Sequence, residues 1–164
     1  VKQLLFGIFL ISLNNAVIGQ TASTVASGRI NVVQPLSITS TGGTLNFGDI
    51  ILTGSTGTFS IEPAQGQQFR IVGNLGRSVS IIFNQITLSN SDWVALTGGT
   101  IGSLTFIPKI ISSANDPITS GNFYHLIPNG RVAILDILVG GSITISSTQP
   151  QGDYSGQFTI SVSY

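Results

Sequence analysis

Gly156-Gln157-Phe158-Thr159-Ile160-Ser161-Val162-Ser163-Tyr164 alternates apolar and polar side chains up to its last aromatic residue. Successive side chains of a strand point to opposite faces, so Phe158, Ile160, Val162 and Tyr164 share one face and Gln157, Thr159, Ser161 and Ser163 the other. An apolar face of this kind must be covered by an opposing sheet or by a strand from another chain, or it becomes a template for aggregation. The same period recurs upstream. Ser78–Phe83 places Val79, Ile81 and Phe83 together, 142–146 places Ile143 and Ile145 together, and 58–62 does so with Phe59 and Ile61.

The segment 131–139 is more uniformly apolar and reads as a central strand. Ile30 and Val32 begin another run, 29–39, which Pro35 interrupts. Proline has no N–H for a ladder, so this run is expected at a sheet edge or bent at Gln34–Pro35. Turn signals separate the runs: Thr41-Gly42-Gly43, 54–57, 73–76, Gly98-Gly99, Pro128-Asn129-Gly130, Gly140-Gly141 and 149–153. Asn129-Gly130 suits a tight hairpin, and the polar stretch 112–122 reads as a surface loop. Past residue 19 no window of about a dozen residues carries helical spacing. The pattern predicts an all-β chain, a single antiparallel immunoglobulin-like β-sandwich, with a jelly roll as the alternative.

A chain of 164 residues fits one domain. Charged residues make up 7% against a usual quarter or so, and six basic residues balance six acidic ones, so no net field recruits nucleic acid or an acidic surface. With a mean hydropathy of +0.43 the chain is not of the disordered type. It has no cysteine, which removes disulfides, iron–sulfur clusters and thiol nucleophiles. The single histidine, His125, reads as a partly exposed strand residue. The acids Asp49, Glu62, Asp92, Asp116, Asp136 and Asp153 are scattered, and neither Asn115-Asp116 nor Asn90-Ser91-Asp92 has the regular spacing of a calcium loop. Trp93 reads as a core or core-rim residue. Arg29, Arg70, Arg77, Lys109 and Arg131 form no run. No catalytic, cofactor-binding or metal-binding residue is therefore expected, and the chain reads as a non-enzyme.

Residues 1–19 have the form of a secretory signal peptide: Lys2, an apolar run from Leu4 to Leu13, then small and polar residues ending at Gly19. A run ten residues long falls short of the about 20 needed to span a bilayer, so no membrane anchor is expected after cleavage. The mature domain would be 20–164, secreted to the periplasm, the cell surface or beyond. Its first residues, 20–28, are small and polar apart from Val25 and lead into Ile30 and Val32. These three make a candidate edge or donor strand.

Three segments carry a family resemblance: Val33-Gln34-Pro35-Leu36-Ser37-Ile38, Leu45-Asn46-Phe47-Gly48-Asp49-Ile50, and the ending Gln149-Pro150-Gln151-Gly152-Asp153-Tyr154-Ser155 that leads into the alternating strand. Together they resemble the secreted bacterial family catalogued as domain of unknown function 4402, over essentially the whole mature chain. The last strand is also similar to that of spore-coat-U-like and archaic chaperone–usher pilin subunits. The resemblance implies an immunoglobulin-like sandwich whose final strand meets an assembly chaperone and later flanks a strand donated by the next subunit. The absence of cysteine excludes a disulfide-stapled pilin. The expected function is an exported structural or adhesive protein, a fimbria-like filament subunit with copies of itself and a chaperone and usher as partners. The alternative is an extracellular carbohydrate-binding module or hydrolase fragment.

Overall fold

The computed structural model describes residues 34–51 and 54–164, together with Gly28 and Ile30. The leader expected at 1–19 and two of the candidate donor residues, Val25 and Val32, lie outside the described residues. The chain divides into two units, Val1–Asn31 and Val32–Tyr164. Among the described residues every strand belongs to the second, and no helix is long and apolar enough to cross a membrane.

The strands are β1 (Ser37–Gly42), β2 (Gly57–Ile61), β3 (Gln67–Gly73), β4 (Ser78–Phe83), β5 (Ile86–Ser89), β6 (Ser103–Ser112), β7 (Pro117–Ile118), β8 (Phe123–His125), β9 (Ile127–Asn129), β10 (Val132–Ile145) and β11 (Ile160–Ser163). A helix, α1 (Ser91–Thr97), joins β5 to β6. Every pairing is antiparallel. One sheet runs β1-β3-β10-β6-β5, with β2 and β9 added to β10 and β7 to β6; the other runs β11-β4-β8. Side chains of both sheets meet in one core: Ile71, Ile110, Leu135, Ile137 and Val139 from the large sheet face Val79 and Ile81 from the small one. The chain is an all-β sandwich, as its alternation predicts, with its strands shared unequally between the layers.

β10 organises the large sheet. Ala133, Leu135, Ile137, Val139, Ile143 and Ile145 are buried at every second position, so one face of this 14-residue strand is apolar from end to end. The sequence suggests a turn at Gly140-Gly141, and instead a single strand passes through both. The reason is steric. A Cβ on Gly140 would run into the Ile61 carbonyl, one on Gly66 into the Val139 carbonyl, and one on Gly141 would stand 2.5 Å from the Ile107 oxygen. Here the neighbour of β10 changes from β3, paired at 133–139, to β2, paired at 141–145. The 3-10 turn Pro63–Gln65 that joins them crosses at a distance that no side chain allows.

Other departures have local causes. β1 is an edge strand, as expected, but it starts at Ser37, two residues past Pro35, and Ile30 lies in no strand. Within 112–122, β7 pairs with β6 and buries Ile118, so that stretch is not wholly a surface loop. The β9–β10 hairpin turns on Gly130-Arg131, with Asn129 paired to Val132 and Gly130 at φ 63°. Glycine stands first, where a type II′ turn requires it. α1 was not foreseen because two turns are too short to show a period; its local signals are Asp92 in the first turn and Gly98 at φ 79° just past the end.

The domain therefore has two distinct ends. At the turn end lie the β3–β4 and β9–β10 turns and Gln34, whose N–H donates to Asn74 Oδ1. At the helix end lie α1, the start of β6, the finish of β10 and the connection 146–159.

Candidate functional site

At the helix end the two layers part. Sheet residues Leu104, Phe106, Ile143 and Ile145 are buried and form a second apolar cluster, but no strand of the small sheet covers them. Their cover is irregular chain: Leu45, Phe47 and Ile50 from one side, Tyr154 and Phe158 from the other, all half-buried. Between these walls is a cleft of about 900 Å³, a size that suits a ligand or an inserted peptide. The Phe106 ring forms its floor, meeting Phe47 edge-on at 6.1 Å and Phe158 at 5.7 Å between ring centroids.

The wall at 43–51 belongs to no strand. The opposite wall is tied down more firmly. Ser89 and Ser155 exchange both backbone hydrogen bonds, at 2.9 and 3.0 Å, so the chain runs beside β5 before crossing to the small sheet as β11. The Tyr154 hydroxyl donates to the Pro150 carbonyl and accepts from Gln149 Nε2, each at 2.7 Å. Asn90 is fully buried and joins three loops: its Nδ2 donates to the Gln151 carbonyl at 2.8 Å and the Thr100 carbonyl at 3.2 Å, while its Oδ1 accepts from Gly102 N–H at 2.7 Å. With its amide so engaged, Asn90 makes no side-chain cap for α1. Asn90→Ala would strand a buried N–H and two carbonyls, and is expected to cost about 2–4 kcal/mol. Urea denaturation should show the loss, and Asn90→Asp should not restore it, because a carboxylate would face two carbonyl oxygens.

Charge around the cleft is one-sided. Asp49 and Asp153 line it, both exposed, and no basic residue does. Asp92, also exposed, lies on α1, whose Trp93 ring would lie 2.9 Å from a Cβ on Gly152. Two ion pairs elsewhere cancel their charges: Arg70 with Asp136 across β3 and β10 at 2.7 Å, and Lys109 with Glu62 at 2.9 Å. The exposed Arg77 and Arg131 occupy the turn end and form no ion pair among the described residues.

The Arg70 guanidinium bonds both carboxylate oxygens of Asp136, and this hydrogen bonding lowers the Asp136 pKa against the opposing effect of partial burial. A carboxyl more acidic when folded than unfolded stabilises the fold above its unfolded pKa of about 3.9, and that contribution is lost as pH falls through the folded value. Because Arg70 is half exposed, Asp136→Asn should cost less than about 1 kcal/mol near neutrality. Thermal unfolding of variant and parent should converge once the pH is well below 3.9.

The sequence-derived site residues fall in two places. Phe158, Ile160 and Val162 lie half-buried against the main core, and the strand is four residues long and leaves Phe158 ahead of it. Tyr164 is 47% exposed; its hydroxyl accepts from the Asn74 backbone N–H at 2.9 Å and from Asn74 Nδ2 at 3.0 Å, which pins the finish of β11 at the turn end. His125 is exposed on β8, with Nδ1 2.9 Å from Ser78 Oγ across the strand pair. Ile30 is exposed. The cleft itself was missed; the half-buried Leu45, Phe47 and Ile50 of one quoted motif were the available signal.

Two antiparallel sheets with one open end define the class, an all-β sandwich protein. The family model described as Domain of unknown function (DUF4402) matches residues 36–164, and the chain belongs to that family. No curated protein and no solved structure matches the chain.

Proposed function

We propose that this chain is an exported, non-enzymatic structural or adhesive subunit that assembles with copies of itself into a fimbria-like filament by strand addition, aided during export by a chaperone and usher. The observation that carries this reading is the state of β11. It pairs with β4 and with no other strand among the described residues, so one side of its backbone is an open edge. Phe158, Ile160 and Val162 beside that edge are half-buried rather than sealed. A strand added there gains backbone hydrogen bonds and apolar cover together. Residues 20–33, with Val25, Ile30 and Val32, are the strand proposed to be donated.

Electron microscopy of the exported protein should show filaments, and unboiled samples should run as SDS-resistant ladders. Deletion of 20–28 should leave folded monomers. If full-length protein supplied with its chaperone and usher stays monomeric at all concentrations, the filament reading fails and a glycan-binding module takes its place.

A further inference from the structure

We infer that the cleft at the helix end binds a cationic amphiphile, a long-chain alkylammonium whose tail lies on the Phe106 floor and whose head meets the exposed carboxylates of Asp49 and Asp153. The inference goes beyond the filament reading and does not depend on it. The cavity supplies the tail site. Its volume of about 900 Å³ lies within the range of small-molecule sites, and its sheet floor of Leu104, Phe106, Ile143 and Ile145 is wholly apolar. Aromatic residues stand on both walls, Phe47 on one and Tyr154 and Phe158 on the other.

Polar groups of the lining are largely engaged already. Gln149 Nε2 donates to the Tyr154 hydroxyl and the Ser103 carbonyl, the Tyr154 hydroxyl donates to the Pro150 carbonyl, and Asn46 Oδ1 accepts from the Gly48 N–H. A sugar or nucleotide in the cleft would bury hydroxyls with few partners, at a cost that an alkyl chain does not meet. Charge then selects the head. Asp49 belongs to the wall 43–51 and Asp153 to the wall 149–158, both exposed, and no basic residue lines the cleft. A fatty acid would bring a like charge to two carboxylates, whereas an ammonium is attracted by both. Phe47 and Tyr154, on the same two walls, suit a quaternary head as well.

Calorimetric titration of the exported protein with dodecyltrimethylammonium, kept below its micelle concentration, tests this. One molecule should bind per chain, and affinity should fall about fourfold for each methylene removed from the tail. Dodecanoate and dodecyl maltoside carry a tail of the same length and should bind at least about tenfold more weakly. Asp49→Asn/Asp153→Asn should weaken the ammonium about tenfold and leave the maltoside within about twofold; both positions are exposed, and circular dichroism verifies the fold. Raising NaCl from about 0.05 to 0.5 M should weaken the ammonium alone, by shortening the screening length. Phe47→Ala, which opens one wall, should weaken all three amphiphiles by a similar factor and so mark the cleft as the place. The inference is overturned if the ammonium binds within about twofold of dodecanoate or the maltoside, or if it is indifferent to the double Asn substitution or to Phe47→Ala. Binding of many molecules per chain with loss of the fold overturns it too. None of these readouts requires assembly, so the filament reading stands or falls separately.

Discussion

Removal of 157–164 is expected to abolish the cooperative unfolding transition. The segment supplies one of the three strands of the small sheet, and with it Phe158, Ile160 and Val162. Three half-buried apolar side chains contribute on the order of 1 kcal/mol each, roughly half of a full burial. The Tyr164 bonds to Asn74 disappear with them, and Val79, Ile81 and Ile71, all at 0% exposure, lose part of their cover. A total of about 5 kcal/mol or more reaches the whole stability of many domains. Near-ultraviolet circular dichroism and urea melts decide the matter. Truncated protein that unfolds cooperatively at the parental midpoint would place the strand outside the core.

Gly140→Ala should be nearly as damaging, though it adds one methyl group to a strand that otherwise favours side chains. The new carbon would meet the Ile61 carbonyl and approach Pro63 N at 2.7 Å, both backbone atoms that no rotamer change can move aside. Either β2 separates from β10 or the Pro63–Gln65 turn lifts away, and a loss of more than about 3 kcal/mol follows. A useful contrast is Gly76→Ala. Nothing lies within 4 Å of its Cβ, but φ is +69°, so that variant pays for backbone strain alone and should lose about 1 kcal/mol. Equal melting temperatures for the two variants would mean that the crossing over β10 is looser than described.

What could be read in the sequence follows from what each residue faces. The bounds of β4 were legible, because Val79 and Ile81 are sealed while Ile82, between Ile81 and Phe83, is exposed, though Ser80 on the polar face is buried as well. The inner face of β10 was legible too, but its continuity was not. A glycine pair has the same letters whether it makes a turn or lets two backbones pass, and the neighbours that settle the choice, Ile61 and Ile107, are far along the chain. α1 and β7 are shorter than any period can reveal. The cleft was hidden for another reason: Leu45, Phe47 and Ile50 are only half-buried because no strand of the small sheet covers the helix end, and no local pattern shows that. Asn90 gives no sign in sequence that its amide holds three loops together.

The length of β10 also matters under tension. Its 14 residues run from the turn end to the helix end, with β3 and β2 laddered on one side and β9 and β6 on the other. A pull along the long axis would load those ladders in shear, so many hydrogen bonds would have to break at once instead of peeling in sequence. In a chain without a single disulfide, that geometry makes β10 the tie rod of the domain. The weak point under load is then the four-residue ladder of β11, which should yield before the large sheet does.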